Sequence, residues 1–338
     1  MPKGLVLVSG GSGYIAGYII KQLLAEDWAV RTTVRNLARE AEVRKTLGVG
    51  ANPALTFAAG DLTSDAGWTE AAAGCVYIQH IASPLPTTTP KNDDELVIPA
   101  RDGALRVLRA AKAAGAKRVV MTSSTAAITY GQPGAKQPFT EANWTDPKNK
   151  DTSPYVRSKT IAERAAWDWH KAEGAPLELT TVCPGAVLGP VLGADYSASI
   201  EIIKKLMEGS LPGTPRLNFP LVDVRDIADL HVRAMTATNV NGERFLGAGP
   251  ALWMREMADV LIARLGPAAK KVPRGSVPDW LMKLLANFDP VTGSVVFEIG
   301  KKREVDASKA QRLLGWKMRP IEDSIVDTAQ SLVALKLV

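Results

Sequence analysis

Cysteine and histidine are scarce: two cysteines and three histidines in 338 residues. Cys75 and Cys183 each lie in an apolar run that reads as a buried strand. Two reduced core thiols are therefore expected, not a disulfide framework. His80, His170 and His231 lie far apart without ligand spacing, so no metal is expected. Lys and Arg outnumber Asp and Glu by 41 to 35, but the basic residues are scattered, in short groups such as Lys301-Lys302-Arg303. Without a basic stripe interleaved with aromatics, nucleic acid is not an expected partner. No apolar run is long enough to span a bilayer, and "MPKGLVLVSGG" enters a strand almost at once with no leader pattern. The expectation is a soluble cytoplasmic protein that does not engage membranes.

What is present is ordinary for a soluble globular protein: 46% hydrophobic and 22% charged residues. The length exceeds what one small core needs. Along the first half, short apolar runs alternate with helical periodicity. "GLVLVS" (4–9), "AVRTTV" (29–34), "ALTFAAGD" (54–61), "CVYIQHIAS" (75–83), "AKRVVMTSS" (116–124) and "LELTTVCPG" (177–185) read as strands. Helices are expected over 14–25, 37–47, 96–114 and 154–171, with Pro154 suited to a first turn. Such alternation predicts a parallel sheet with helices on both faces and right-handed crossovers, an α/β Rossmann-type doubly wound fold. After Gly185 the pattern loosens. Residues 1–185 are expected to form the cofactor domain and 186–338 mainly a smaller, partly interleaved substrate lobe. The segment around 223–247 is expected to pack back on the sheet.

The turn "VSGGSGYIAG" follows the first strand. Glycines there let the backbone approach a pyrophosphate, and the following helix offers free N–H groups. Gly10, Ser12, Gly13, Tyr14 and Ile15 are the candidate phosphate cradle, with Ala16 in the last place of the motif. The second strand ends in "TTVRNLARE", with Arg35 and Arg39 where an NAD-binding protein usually carries an acid. A guanidinium suits a 2′-phosphate, so NADP(H) is favoured; the alternative is a solvated arginine pair. Asp61 and Leu62 close the third strand, where Asp61 can meet an adenine amino group; the alternative is a helix cap, with Asp61 or Thr63 starting a helix near Asp65. Ile81, Ala82 and Ser83 close the fourth and are expected along the ribose and phosphates. Thr122 and Ser124 close the fifth and face the same crevice.

Tyr155 and Lys159 sit four apart in "SPYVRSKT", on one helical face. Carbonyl reduction needs a proton for oxygen as well as a hydride for carbon. A phenol has a reference pKa of ~10, and a neighbouring ammonium favours its anion. Ser124 Oγ can donate to the developing alkoxide. The alternative is a solvent-facing pair on a helix surface.

"SGGSGYIAG", "VR" after the second strand, "DL" after the third, "HIASP", "TSS", "YVRSK", "CPGAVLGP", "FPLVDVRDIADLH" and "LLGWKMRPIEDSIVDTAQSL" together resemble the extended short-chain dehydrogenase/reductases. Within them the chain is similar to the branch of dihydroflavonol reductases and aldehyde/ketone reductases of the methylglyoxal type, over nearly its whole length. The resemblance implies Ser124, Tyr155 and Lys159 as the catalytic trio and Lys159 as a ribose ligand. It also implies Arg35 and Arg39 at a 2′-phosphate, Pro184 and Val187 beside the nicotinamide, and Ser199 closing over the cofactor. The implied partner is a small carbonyl or alcohol, and the implied assembly a monomer or homodimer. The "NWYCY" segment of cinnamoyl-CoA reductases is absent, which argues against a CoA thioester. Residues 81–89, 126–132 and 187–216 are the segments expected to set substrate choice. Trp144, Tyr130 and Phe219 are pocket candidates or packing residues. The rival readings are a sugar-nucleotide epimerase or dehydratase, for which Arg216, Arg225 and Arg244 are candidate ligands, and a non-catalytic NADP sensor.

Overall fold

The structure, a computed structural model, describes residues 2–84, 92–150, 152–286, 293 and 296–338. Seven strands form one sheet in the order β3-β2-β1-β4-β5-β6-β9. They are β1 (Leu5–Val8), β2 (Ala29–Val34), β3 (Leu55–Ala59), β4 (Tyr77–His80), β5 (Arg118–Thr122), β6 (Glu178–Pro184) and β9 (Arg244–Gly247). Every pairing in it is parallel. All seven therefore end on one edge, and the order reverses between β1 and β4, where a doubly wound sheet opens its ligand crevice. The expected Rossmann-type sheet is present, with one strand more than the six read from sequence.

Side chains of these buried strands point alternately into two apolar layers. Val6 and Val8 face one cluster while Leu7 faces the other; Val120 opposes Val119 and Met121 in the same way. One layer holds α3 (Trp68–Ala72), α4 (Asp94–Ala113) and α5 (Pro154–Trp169), with α4 packed along α5. The other holds α1 (Tyr14–Ala25) against α7 (Val224–Thr236). Thus α7 and β9 return to the main sheet from late in the chain.

The second, three-stranded sheet has the order β10-β8-β7, with β7 (Ala186–Leu188), β8 (Asn218–Asp223) and β10 (Ala251–Trp253). Its β7 and β8 run parallel, while β10 is antiparallel to β8. Around it lie α6 (Ile200–Glu208), α8 (Met254–Leu265) and a helix at Ile321–Ala334, while α9 (Asp279–Leu285) follows α8 in the chain and a helix at Ser308–Leu314 packs on β9 and α7. The sequence reading missed β7, β9, β10, α6 and the helix at Ser308–Leu314. The expected continuous helix over 37–47 is split: Asn36 Oδ1 accepts from Ala38 N and starts a tight turn at Leu37–Arg39, and α2 (Glu40–Leu47) follows. Among the described residues no helix is long and apolar enough to cross a membrane. Cys75 and Cys183 are both buried free thiols.

Candidate active site

The glycine turn is built as its sequence requires. Gly10 has φ 75°, the left-handed region that favours glycine, and a Cβ there would lie 3.1 Å from that of Ala82. Gly10 N donates to Thr33 Oγ1 (3.0 Å) and Gly11 N to Thr33 O (2.9 Å), which ties the turn to β2. Gly13 caps α1, with no side-chain cap and no acid in the first turn. The first N–H groups of α1, at Tyr14 and Ile15, are therefore left for an anion. A cavity of about 350 Å³ opens there, lined by Ser12, Gly13, Tyr14, Arg39, Leu192 and Asp195 among others. Arg39 Nη1 lies 3.4 Å from Ser12 Oγ, and its Nη2 pairs with Glu42 (2.8 Å) and Asp195 (3.6 Å). Arg35 is exposed just after β2. These donors suit a dinucleotide with an extra phosphate. Glu42, Asp195 and Leu192 were not singled out from the sequence.

The ends of β3 and β4 are more heavily engaged than the sequence suggested. Asp61 Oδ1 accepts from both Thr63 N and Thr63 Oγ1 at 2.8 Å, which closes a turn and not the helix expected near Asp65, since α3 starts only at Trp68; these bonds hold its carboxyl below the usual range. The Leu62 carbonyl accepts from Arg106 (2.8 Å), and its side chain packs where a Cβ on Gly103 would stand. Ser9 Oγ accepts from Ile81 N and Ala82 N, both 2.9 Å, and lies 3.0 Å from His80 Nδ1. With both N–H groups taken by Ser9, Ile81 and Ala82 have no backbone donor free for a phosphate. Burial, reinforced by the Lys159 charge, pushes the His80 imidazole down to about 3. Neutral His80 with a bare Nδ1 then accepts from the Ser9 hydroxyl. Residues 85–89 of the expected substrate segment lie outside the described residues.

Ser153 opens α5 by accepting from Val156 N (3.3 Å), with Pro154 in the first turn. The helix buries Val156, Ala162, Glu163, Ala166 and Trp169. Tyr155 and Lys159 lie off that face; Tyr155 is 40% exposed. Lys159 Nζ sits 5.8 Å from the Tyr155 ring centroid and donates to Ser83 Oγ at 2.9 Å. One ammonium thus spans the end of β4 and the phenol of α5. Beside them β5 ends at Thr122, whose hydroxyl meets His231 Nε2 at 2.8 Å. His231 Nδ1 faces the Ile227 carbonyl at 2.8 Å, so Nδ1 carries the proton and Nε2 accepts, and burial pushes this ring down to about 4. Ser124 is half-buried, and its Oγ accepts from Ala126 N (3.1 Å). A hydroxyl oxygen that accepts an N–H keeps its own proton to donate.

From the far side, Pro184 ends β6 and Val187 lies in β7. The Val187 carbonyl accepts from Ser199 Oγ (2.8 Å) and Ser197 Oγ (3.3 Å). These bonds tie Ser197 and Ser199 back to β7, while Tyr18 Oη donates to the Pro190 carbonyl (2.8 Å) and Leu192 and Asp195 line the cavity at the glycine turn. Of the pocket candidates, Trp144 is packed between Arg244, 3.6 Å from its ring centroid, and Arg164, 4.9 Å away, which is the packing reading. Tyr130 stacks under Arg303 at 3.8 Å, and burial pushes its phenol up to about 12.

A model of the NAD dependent epimerase/dehydratase family matches residues 6–246. The chain belongs to that family. A cinnamoyl-CoA reductase of Arabidopsis thaliana is 33% identical over 97% of this chain and 92% of its own. An anthocyanidin reductase of Vitis vinifera is 30% identical over 82% of this chain and 83% of its own. The crystal structure of yeast methylglyoxal/isovaleraldehyde reductase with NADPH superposes with a TM-score of 0.81 at 26% identity, covering 98% of this chain and 99% of that one. The protein is an NAD(P)-dependent reductase of the extended short-chain dehydrogenase/reductase kind, in the carbonyl-reductase branch that its motifs indicated.

Proposed function

We propose that the protein reduces an aldehyde or ketone to the alcohol with NADPH, and runs backwards when given alcohol and oxidised cofactor. The observation that carries this reading is that Lys159 Nζ reaches both Ser83 Oγ, just past β4, and the Tyr155 ring on α5; Ser124, just past the end of β5, supplies the third group of the reading. A bound nicotinamide supplies the hydride that attacks the carbonyl carbon. The Tyr155 phenol gives its proton to the carbonyl oxygen, and its partial exposure lets water return one. Lys159 offsets the negative charge left on the phenolate and reaches toward the ribose from its Ser83 contact. The Ser124 hydroxyl donates to the carbonyl oxygen as negative charge builds there.

NADPH is favoured because β2 is followed by Arg35 and Arg39 instead of an acid, with Arg39 beside Ser12 of the phosphate turn. An aldehyde or ketone is favoured over a CoA thioester because the tyrosine segment reads "TSPYVRSK". Two of the three arginines that are candidates for a sugar-nucleotide site are already occupied. Arg244 is buried on Glu163, and Arg225 forks onto Asp223 (2.7 Å) and Asp327 (2.6 Å).

The test is cofactor oxidation across a panel of aldehydes, ketones and cinnamoyl-CoA, with NADPH and NADH in parallel and a sugar-nucleotide epimerisation assay beside it. Turnover with simple carbonyls and NADPH is the expected result. Turnover confined to the thioester, or epimerisation alone, overturns the substrate class.

A further inference from the structure

Beneath the crevice lies a buried charged group that the proposed chemistry does not use. Glu163 is 0% exposed and stands one helical turn beyond Lys159 on α5. Its Oε2 accepts from Ser123 Oγ (2.6 Å) and Arg244 Nη2 (3.1 Å). Its Oε1 accepts from Arg244 Nε (2.7 Å), Thr181 Oγ1 (2.9 Å) and Trp167 Nε1 (3.3 Å). Arg244, at the start of β9, also donates through Nη1 to the carbonyls of Glu141 (2.6 Å) and Asn143 (2.9 Å). Two residues further on, Thr145 Oγ1 donates to the Ala126 carbonyl (2.7 Å) and accepts from Tyr130 N (3.0 Å).

Ser124 therefore lies between two anchors. Ser123, before it, is held by Glu163; Ala126, after it, is held by Thr145, whose own segment hangs on Arg244. The carboxylate at the root of both anchors belongs to the same helix as Tyr155 and Lys159. A buried ion pair is seldom the most stable choice for a core, since well-packed apolar groups do as well or better. What it supplies is fixed geometry, because each lone pair is aimed at one donor.

We propose that Glu163 is a positioning residue: through Ser123 it holds the Ser124 hydroxyl at a set distance and angle from the Tyr155 phenol. This rests on the roles of Ser124 and Tyr155 in the proposed function. Glu163 touches neither substrate nor cofactor and acts only through its neighbours. Because Glu163→Gln can disturb folding by leaving Arg244 without its counter-ion, the sharper variant is Ser123→Ala, which removes one bond and keeps the ion pair.

The test is a double-mutant cycle on kcat with NADPH and a reducible aldehyde, with cofactor affinity read separately by fluorescence titration. Ser123→Ala is expected to lower kcat about 10-fold to 100-fold in the otherwise unchanged enzyme, the scale of a small misplacement of a catalytic group. In a Ser124→Ala background the same change is expected to cost less than about 2-fold, because the group it positions is gone. Cofactor affinity is expected to stay put in both backgrounds. An equal loss in the two backgrounds, no loss in either, or a loss that merely tracks cofactor binding overturns the positioning role. Full turnover by the Ser124→Ala enzyme strikes instead at the proposed role of Ser124, so the two failures are told apart.

Discussion

Two arginine–carboxylate groups, one at the glycine turn and one under α5, differ in almost everything but chemistry. At the glycine turn, Arg39 meets Glu42 and Asp195 with side chains 36%, 59% and 61% exposed. Between α5 and the strands β5 and β6, Arg244 and Glu163 are 8% and 0% exposed. An exposed pair is screened, entropically loose and weak, so Arg39 can trade its carboxylates for a phosphate at little cost. A desolvated pair with every lone pair used holds its partners in one place, and removing either member leaves an uncompensated charge. The exposed group at the glycine turn can exchange partners, and the buried pair keeps them.

The largest expected effect lies on the buried side. Glu163→Ala is expected to cost about 3–5 kcal/mol of folding stability, because Arg244 stays charged without its partner. Urea denaturation checks this, and a variant as stable as the parent breaks the contrast. Next is cofactor choice. Arg39→Ala is expected to weaken NADPH at least about 10-fold and NADH far less, as loss of one charge-assisted phosphate contact implies. Fluorescence titration with both cofactors decides it; equal losses would mean that Arg39 shapes the site instead of reading the phosphate.

Acid sensitivity belongs again to the buried side. His80 and His231 are held neutral, at about 3 and about 4, while in the unfolded chain they titrate near ~6.5. Below that pH the unfolded state binds more protons than the folded one, so stability is fully present above it and is lost as pH falls toward the folded values. The expected slope is up to ~1.4 kcal/mol per pH unit for each histidine. Denaturation at pH 7, 6 and 5.5 measures it, and a flat response contradicts their burial as neutral rings. The smallest effect is expected at the exposed pair, where Asp195→Asn should leave the melting temperature where it was.

The sheet was readable because its strands are buried on both faces and so appear as short apolar runs between helices of clear period. Strand β9 was missed because "RFLG" (244–247) begins with the buried Arg244, which looks like a surface residue when its partner lies 81 positions away. Helix α6, "IEIIKKLME", sat within a stretch dense in glycine and proline and was passed over for that reason. At the candidate site, the glycine turn, Arg39 and the Tyr155–Lys159 face are local patterns that a sequence displays. The clamp of Ser9 on Ile81 and Ala82 spans more than 70 positions. It shows no periodicity, and neither does the Glu163 network. Arg244 was considered from sequence as a ligand for a sugar nucleotide; only its burial on Glu163 reveals it as part of the floor.

The most direct test of the account is the turnover of Tyr155→Phe with NADPH and an aldehyde that the parent enzyme reduces. A loss of kcat on the order of 10²-fold to 10⁴-fold, with cofactor binding retained, is predicted for removal of the proton donor. A phenylalanine enzyme that turns over at the parent rate would show that the proton comes from somewhere else.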